Sequence, residues 1–144
     1  MISPQNLLAQ IPYCLDKTNF PTLGEKYEGK VRDNYIKGDR RVLIACDRLS
    51  AFDFVICLIP FKGQVLTQMA KFWFEQTKYI IQNHVIGYPD PNVVVAKQCI
   101  PLPVEMVVRG YITGVTSTSV WYHYEKGVRN FCGNALPEGL KKNQ

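Results

Sequence analysis

Three short stretches gather side chains able to do chemistry. The first, "DRLSAFD" at residues 47–53, places Asp47, Arg48, Ser50 and Asp53 directly after the apolar run "RRVLIAC". A turn needs only one Asp or Ser, so four polar groups leave two readings open: a solvated, capped loop, or the rim of a binding cleft. The second, "EGKVRD", puts Gly29 before Lys30 and Arg32, which alternation assigns to one face of a strand. Glycine lets backbone approach a phosphate closely, and two cations on one side neutralise its charge. The same cations on an open strand face would simply be solvated. The third, "PVEMVVRGYITG", predicts a strand through Val104, Met106 and Val108 that ends at Arg109, with Gly110 and Gly114 following. Arginine in that position can grip phosphate or carboxylate through two parallel hydrogen bonds. Thr116, Ser117, Thr118 and Ser119 come next, at the predicted start of a helix, where hydroxyls and free amides favour an anion. The alternative is an Arg109 paired with Asp47 or Asp53 and a serine that only caps.

Other chemistries find little support. His84 and His123 are far apart, with no Cys or carboxylate at ligand spacing, which argues against zinc and leaves His123 as a helix-surface or packing histidine. Neither a Walker "GxxxxGK[ST]" nor the three-glycine loop of protein kinases is present, and Ser50 lies in no nucleophile elbow. No catalytic side chain is assigned.

These stretches must be held by the elements around them. Ser3-Pro4 reads as a cap and first residue of a short helix that Pro12 stops. Residues 25–46 read as a β-hairpin turning at Gly38-Asp39, and "FVICLIPF" as a further apolar strand. "VLTQMAKFWFEQTKYIIQ" spaces Leu66, Met69, Ala70, Trp73, Thr77, Ile80 and Ile81 as the core face of an amphipathic helix. "NVVVAKQ" and "PVEMVVRG" read as two more strands, and "TSTSVWYHYEKG" as a helix closed by Gly127. The fold class is therefore α+β: a twisted, predominantly antiparallel sheet with one long helix packed on it, then the start of a truncated second lobe.

Bulk properties narrow the partners. A chain of 144 residues, 47% hydrophobic, has the scale of one globular domain with a real core. The net charge of +5 suits nucleic acid and phosphorylated small molecules equally well. Its basic residues are scattered through Lys26, Lys30, Arg32, Lys37, Arg40, Arg41 and Arg48, without interleaved aromatics, so nucleic acid is not expected as a partner. No apolar run is long enough for a bilayer, and "MISPQNLLAQIP" lacks the pattern of a signal peptide, so no membrane partner and a cytoplasmic location are expected. The five cysteines show no CxxC or paired spacing, and those in apolar surroundings are expected to be reduced core thiols.

"GKVRDNY", "DRLSAFD", "GQVLTQMAKFWFEQT", "YPDPNVVVAKQ" and "PVEMVVRGYITG", in this order and spacing, resemble the SAICAR synthetase (phosphoribosylaminoimidazole-succinocarboxamide synthase) family from about Leu23 onward. That resemblance implies an ATP-dependent ligase of purine biosynthesis, joining carboxyaminoimidazole ribonucleotide to L-aspartate to give SAICAR, ADP and phosphate. It implies a first lobe like the small lobe of protein kinases at residues 1–108, and the beginning of a substrate lobe at residues 109–144. Gly29, Lys30, Val31 and Arg32 would contact ATP, with Gln98 and Glu105 bounding the hinge beside adenine. Ser50, Asp53 and Arg109 would face substrate, with Ser117 or Ser119 on the ribonucleotide phosphate. The family's Mg2+ ligands are expected in a C-terminal part beyond this stretch, so no metal ligand is assigned here. The 144 residues alone are expected to be inactive and to self-associate through the exposed truncated face, nearest "PVEMVVRG" and the helix with Trp121 and Tyr122. The alternative is a non-catalytic nucleotide-binding or assembly module built from the same lobe.

Overall fold

Gly38, at φ 61°, sits in backbone that disfavours side chains, and with Asp39 it reverses the chain between two strands in register from Lys37↔Arg40 to Arg32↔Ala45. The computed structural model describes residues 3–52, 54–104 and 106–144. Two units divide the chain, residues 1–100 and 101–144.

The first unit opens with helix α1, Pro4–Gln10, whose N-cap Ser3 accepts from the Asn6 N–H, and a single 3-10 turn at Ile11–Tyr13. Strands β1 (Glu25–Glu28), β2 (Arg32–Lys37) and β3 (Arg40–Ala45) follow, the expected hairpin being β2–β3. Strand β4 (Arg48–Ala51) pairs with β5 (Phe54–Leu58) as a hairpin of its own. Helix α2 (Lys62–Thr77) precedes β6 (Val85–Asp90) and β7 (Val93–Lys97). The five-stranded antiparallel sheet runs β1-β2-β3-β7-β6, and α2 packs on β3 and β7. Tyr35, Ile44, Ala45, Cys46 and Ala96 form its most buried apolar set.

Several sequence expectations are corrected. "DRLSAFD" is not a loop throughout, because Arg48 to Ala51 form β4. The buried residues of α2 are Gly63 and Thr67, with Ala70 and Phe74 partly covered, whereas Met69 and Trp73 point outward. Small residues let the helix approach: a Cβ on Gly63 would stand 2.2 Å from the Ala45 carbonyl oxygen. The helix ends at Thr77, before Ile80 and Ile81, and β6 is a strand the pattern did not reveal. Of the cysteines, Cys46 is buried, while Cys57, Cys99 and Cys132 are exposed.

The second unit contains helix α3 (Val120–Tyr124) and a small hairpin, β8 (Asn130–Phe131) with β9 (Asn134–Ala135). Its centre is Tyr124, whose hydroxyl donates to the Pro137 carbonyl at 2.9 Å and accepts from the Leu140 N–H at 3.0 Å. Arg129 lies 4.0 Å over the Tyr124 ring and forks onto both Glu138 oxygens at 2.8 and 3.0 Å. The strand expected at 103–110 is absent among the described residues of that stretch.

Candidate functional site

The alternation of β2 sends Asp33 and Tyr35 to one face, against the segment that links α1 to β1. Asp33 is fully buried and Arg48 is 2% exposed, and they pair at 2.9 Å. The second oxygen of Asp33 accepts from the Thr18 N–H at 2.7 Å, the Thr18 hydroxyl at 2.9 Å and Lys26 at 3.2 Å. Burial pushes this carboxyl upward, but the bonds from Arg48, Thr18 and Lys26 outweigh it and hold the pKa down at about 2. Tyr35 extends the same network, its hydroxyl 2.9 Å from that of Thr18 and accepting from the Phe20 N–H at 3.1 Å.

Arg48 uses the rest of its fork on backbone. Its Nε donates to the Lys30 carbonyl at 3.1 Å, Nη2 to the Gly29 carbonyl at 3.0 Å, and Nη1 to the Asp16 carbonyl. Asp47 is equally committed. Its carboxylate accepts from the Leu15 N–H and from the Gly63 N–H in the first turn of α2, each at 2.9 Å. That helix has no side-chain cap of its own, so an acid from another part of the chain serves one of its free N–H groups. Asp47 and Arg48 of "DRLSAFD" are thus a buried frame and not a solvated loop.

What the frame carries is the turn between β1 and β2. Lys30 belongs to this turn and not to a strand. Gly29, Lys30 and Arg48 line a cleft of about 470 Å³ together with Asp16, Lys17, Glu28 and Val55. Lys17 and Glu28 pair across its rim at 2.9 Å. Arg32, expected beside Lys30, instead lines a space of about 210 Å³ under α2 with Leu66, Thr67, Phe74 and His84. Val31 is half-buried, and its carbonyl accepts from the Cys46 N–H at 3.0 Å. Ser50 lies on β4 opposite Val55, beside a register shift. Gln98 follows β7 and accepts from Arg41 at 2.8 Å. Asp53 and Glu105 lie outside the described residues.

In the second unit a pocket of about 590 Å³ brings Arg109 together with Gly110, Thr116, Thr118 and Ser119. Gly114, at φ 108°, permits this closure, since a Cβ there would stand 2.3 Å from the Cβ of Ser119. The Ser119 hydroxyl donates to the Thr116 carbonyl at 2.6 Å. Ser117 is not among the lining residues; its carbonyl lies 2.7 Å from Nε2 of His123. Guanidinium and hydroxyls around one pocket suit a phosphate monoester or a carboxylate.

Among the described residues no group of three or more His, Cys, Asp or Glu side chains could hold a metal ion, and the resemblance places the Mg2+ ligands beyond this stretch. The sequence reading missed Asp33, Thr18 and Asp16, which organise the Gly29 turn. One signal was available: alternation in "RDNYI" puts Asp33 on the same face as Tyr35, where an acid requires a buried partner.

The protein-family comparison matches residues 25–144 to SAICAR synthetase. A phosphoribosylaminoimidazole-succinocarboxamide synthase of Legionella pneumophila (strain Lens) is 54% identical over 134 residues, covering 93% of this chain and 43% of that protein. A chloroplastic synthase of Vigna aconitifolia is 53% identical over 138 residues, covering 93% and 40%. Among solved structures, SAICAR synthase from Saccharomyces cerevisiae complexed with SAICAR matches with a TM-score of 0.74 at 29% identity, over 90% of this chain and 50% of that one. A type-2 SAICAR synthetase in complex with ADP matches with a TM-score of 0.58 at 26% identity, over 79% and 47%. The chain therefore spans less than half the length of these curated relatives.

Proposed function

Because the chain belongs to the SAICAR synthetase family, we propose that it is the N-terminal portion of an ATP-dependent carboxylate-amine ligase of purine biosynthesis. Residues 1–108 form the lobe that covers the nucleotide, and residues 109–144 begin the substrate lobe. The whole enzyme joins the carboxylate of carboxyaminoimidazole ribonucleotide to the amine of L-aspartate. The γ-phosphoryl of ATP passes to the carboxylate oxygen; the aspartate nitrogen then attacks the carbonyl carbon, and phosphate leaves as the amide forms. Placement and charge carry such a reaction, with no nucleophilic side chain required. Gly29, Lys30 and Val31 meet ATP, and Gln98 and Glu105 flank adenine, while Arg32 lines the separate space under α2. Ser50 and Asp53 serve the substrate, and Arg109 with Ser119 holds the ribonucleotide phosphate, since Ser117 does not line that pocket. The expected compartment is the cytoplasm; no helix of the described residues is long and apolar enough to cross a membrane.

One observation carries this reading: the continuous family match over 25–144, which includes both the Gly29 turn and the Arg109 pocket. Calorimetric titration with ADP and adenosine tests the nucleotide assignment. Lys30→Ala is expected to weaken ADP about fivefold or more while adenosine is unchanged, since adenosine lacks the charges Lys30 would meet. Equal losses for both ligands would reveal a damaged lobe and sink the assignment.

A further inference from the structure

We propose that Arg48 is the positioning residue of the nucleotide site: it sets the orientation of the Gly29–Lys30 and Lys30–Val31 peptides, so that their N–H groups aim at an anion. The inference rests on the reading of the Gly29 turn as an ATP phosphate contact.

The geometry starts from the guanidinium. Arg48 is 2% exposed and donates to the carbonyls of Gly29 at 3.0 Å and Lys30 at 3.1 Å. Its own position is fixed from behind by Asp33 at 2.9 Å and by the Asp16 carbonyl. Two consecutive carbonyls of one turn thus converge on a single planar group. A trans peptide is rigid, and its N–H points opposite to its carbonyl. Drawing the Gly29 and Lys30 carbonyls onto Arg48 therefore directs the N–H groups of Lys30 and Val31 away from it. Neighbouring N–H groups with a shared outward direction are what backbone offers to phosphate oxygens. The turn also closes locally, the Gly29 N–H donating to the Arg32 carbonyl at 2.8 Å.

Charge alone does not account for this arrangement. Arg48 is neutralised by Asp33 and holds carbonyls, so its contribution to an anion passes through the direction of peptides and not through its own field. A lysine would keep the charge and the pairing with Asp33, but its point-like ammonium cannot reach two successive carbonyls and an aspartate along fixed directions. Arg48→Lys therefore separates positioning from charge.

The experiment follows backbone amides of the 144-residue chain by 15N-resolved NMR during titration with ADP and with adenosine, in the unsubstituted protein, Arg48→Lys and Lys30→Ala. In the unsubstituted protein the Lys30 and Val31 amide protons are expected to move downfield with ADP and not with adenosine. Arg48→Lys should abolish those shifts and weaken ADP about tenfold, leaving adenosine unchanged. If Arg48→Lys binds ADP as the parent does, with the same amide shifts, Arg48 is only structural and the inference falls while the nucleotide reading stands. If Lys30→Ala also fails to separate ADP from adenosine, or the parent does not bind ADP, the nucleotide reading itself falls and this inference with it. Should Arg48→Lys not fold, the unsubstituted titration decides: ADP bound without a downfield shift at Lys30 and Val31 overturns the proposal, and the shift supports it.

Discussion

An acid with no exposed surface, such as Asp33, is tolerable only while its partners remain in place. Its pKa is lowered from 3.8 to about 2, so the folded state binds this proton more weakly than the unfolded chain does. The stabilisation is thus complete above the unfolded value and is lost as pH falls through the folded one. The shift corresponds to about 2 kcal/mol, released between roughly pH 4 and pH 2. Urea midpoints measured at pH 5, 3 and 2 should fall across that window, and Asp33→Asn should flatten the decline. The same substitution leaves the buried Arg48 with only the half-exposed Asp16 carboxylate, 3.9 Å away, as counter-charge and is expected to cost about 3 kcal/mol at pH 7. An unchanged midpoint would mean that backbone carbonyls alone satisfy the guanidinium. Arg109 poses a different question, because its pocket is open and lined by hydroxyls on one part and by Ile112, Val120, Leu136 and Leu140 on another. Arg109→Ala, placed in a protein extended to the length of the relatives, should weaken ribonucleotide binding by about 1.5 kcal/mol or more with little change in melting temperature. Lost stability with unaltered affinity would assign Arg109 to the fold.

Helix α2 shows what a pattern of large apolar residues can mislead about. The spacing of Leu66, Met69 and Trp73 is helical, and the helix exists, yet Met69 is 56% and Trp73 60% exposed. The sheet instead meets the small side, Gly63, Thr67 and Ala70, because close approach to β3 leaves no room for bulk. Gly63→Ala should therefore cost about 3 kcal/mol, as the added carbon meets a backbone oxygen that cannot yield. Gly87→Ala, where a Cβ meets nothing within 4 Å, should stay within about 0.5 kcal/mol. Chemical denaturation of the two variants makes the comparison, and equal effects would refute the close contact. The β2–β3 hairpin was legible because alternation and a Gly-Asp turn agree. The 103–110 stretch was not: its residues favour strand, but a strand exists only where another supplies hydrogen-bond partners. Strand β4 was hidden for the opposite reason, since its polar residues resemble a loop until β5 pairs with them.

At the scale of the molecule, the first unit presents much apolar surface. Val65, Met69, Phe72 and Trp73 on α2 and Phe54, Val55 and Ile56 on β5 are all more than half exposed. Apolar surface of this extent seeks cover. Sedimentation velocity of the 144-residue chain should show mass rising with concentration, and Met69→Lys with Trp73→Lys should shift it toward monomer. A monodisperse parent at high concentration would contradict this. With ATP, magnesium and both substrates the chain should release no ADP; substrate-dependent release would reveal metal ligands outside the described residues. The segment leading into β1 carries a last consequence. Through Leu15, Asp16 and Thr18 it reaches Asp47, Arg48 and Asp33, while the family match begins only at residue 25. A polypeptide trimmed to the matched region would keep every strand, the Gly29 turn and the Arg109 pocket. It would also leave two buried carboxylates and a guanidinium each short of some hydrogen-bond partners, and water would have to enter to replace those just removed. Where the family-model match begins and where the folding unit begins are different places in this chain, and a boundary drawn at the first would cut the second open.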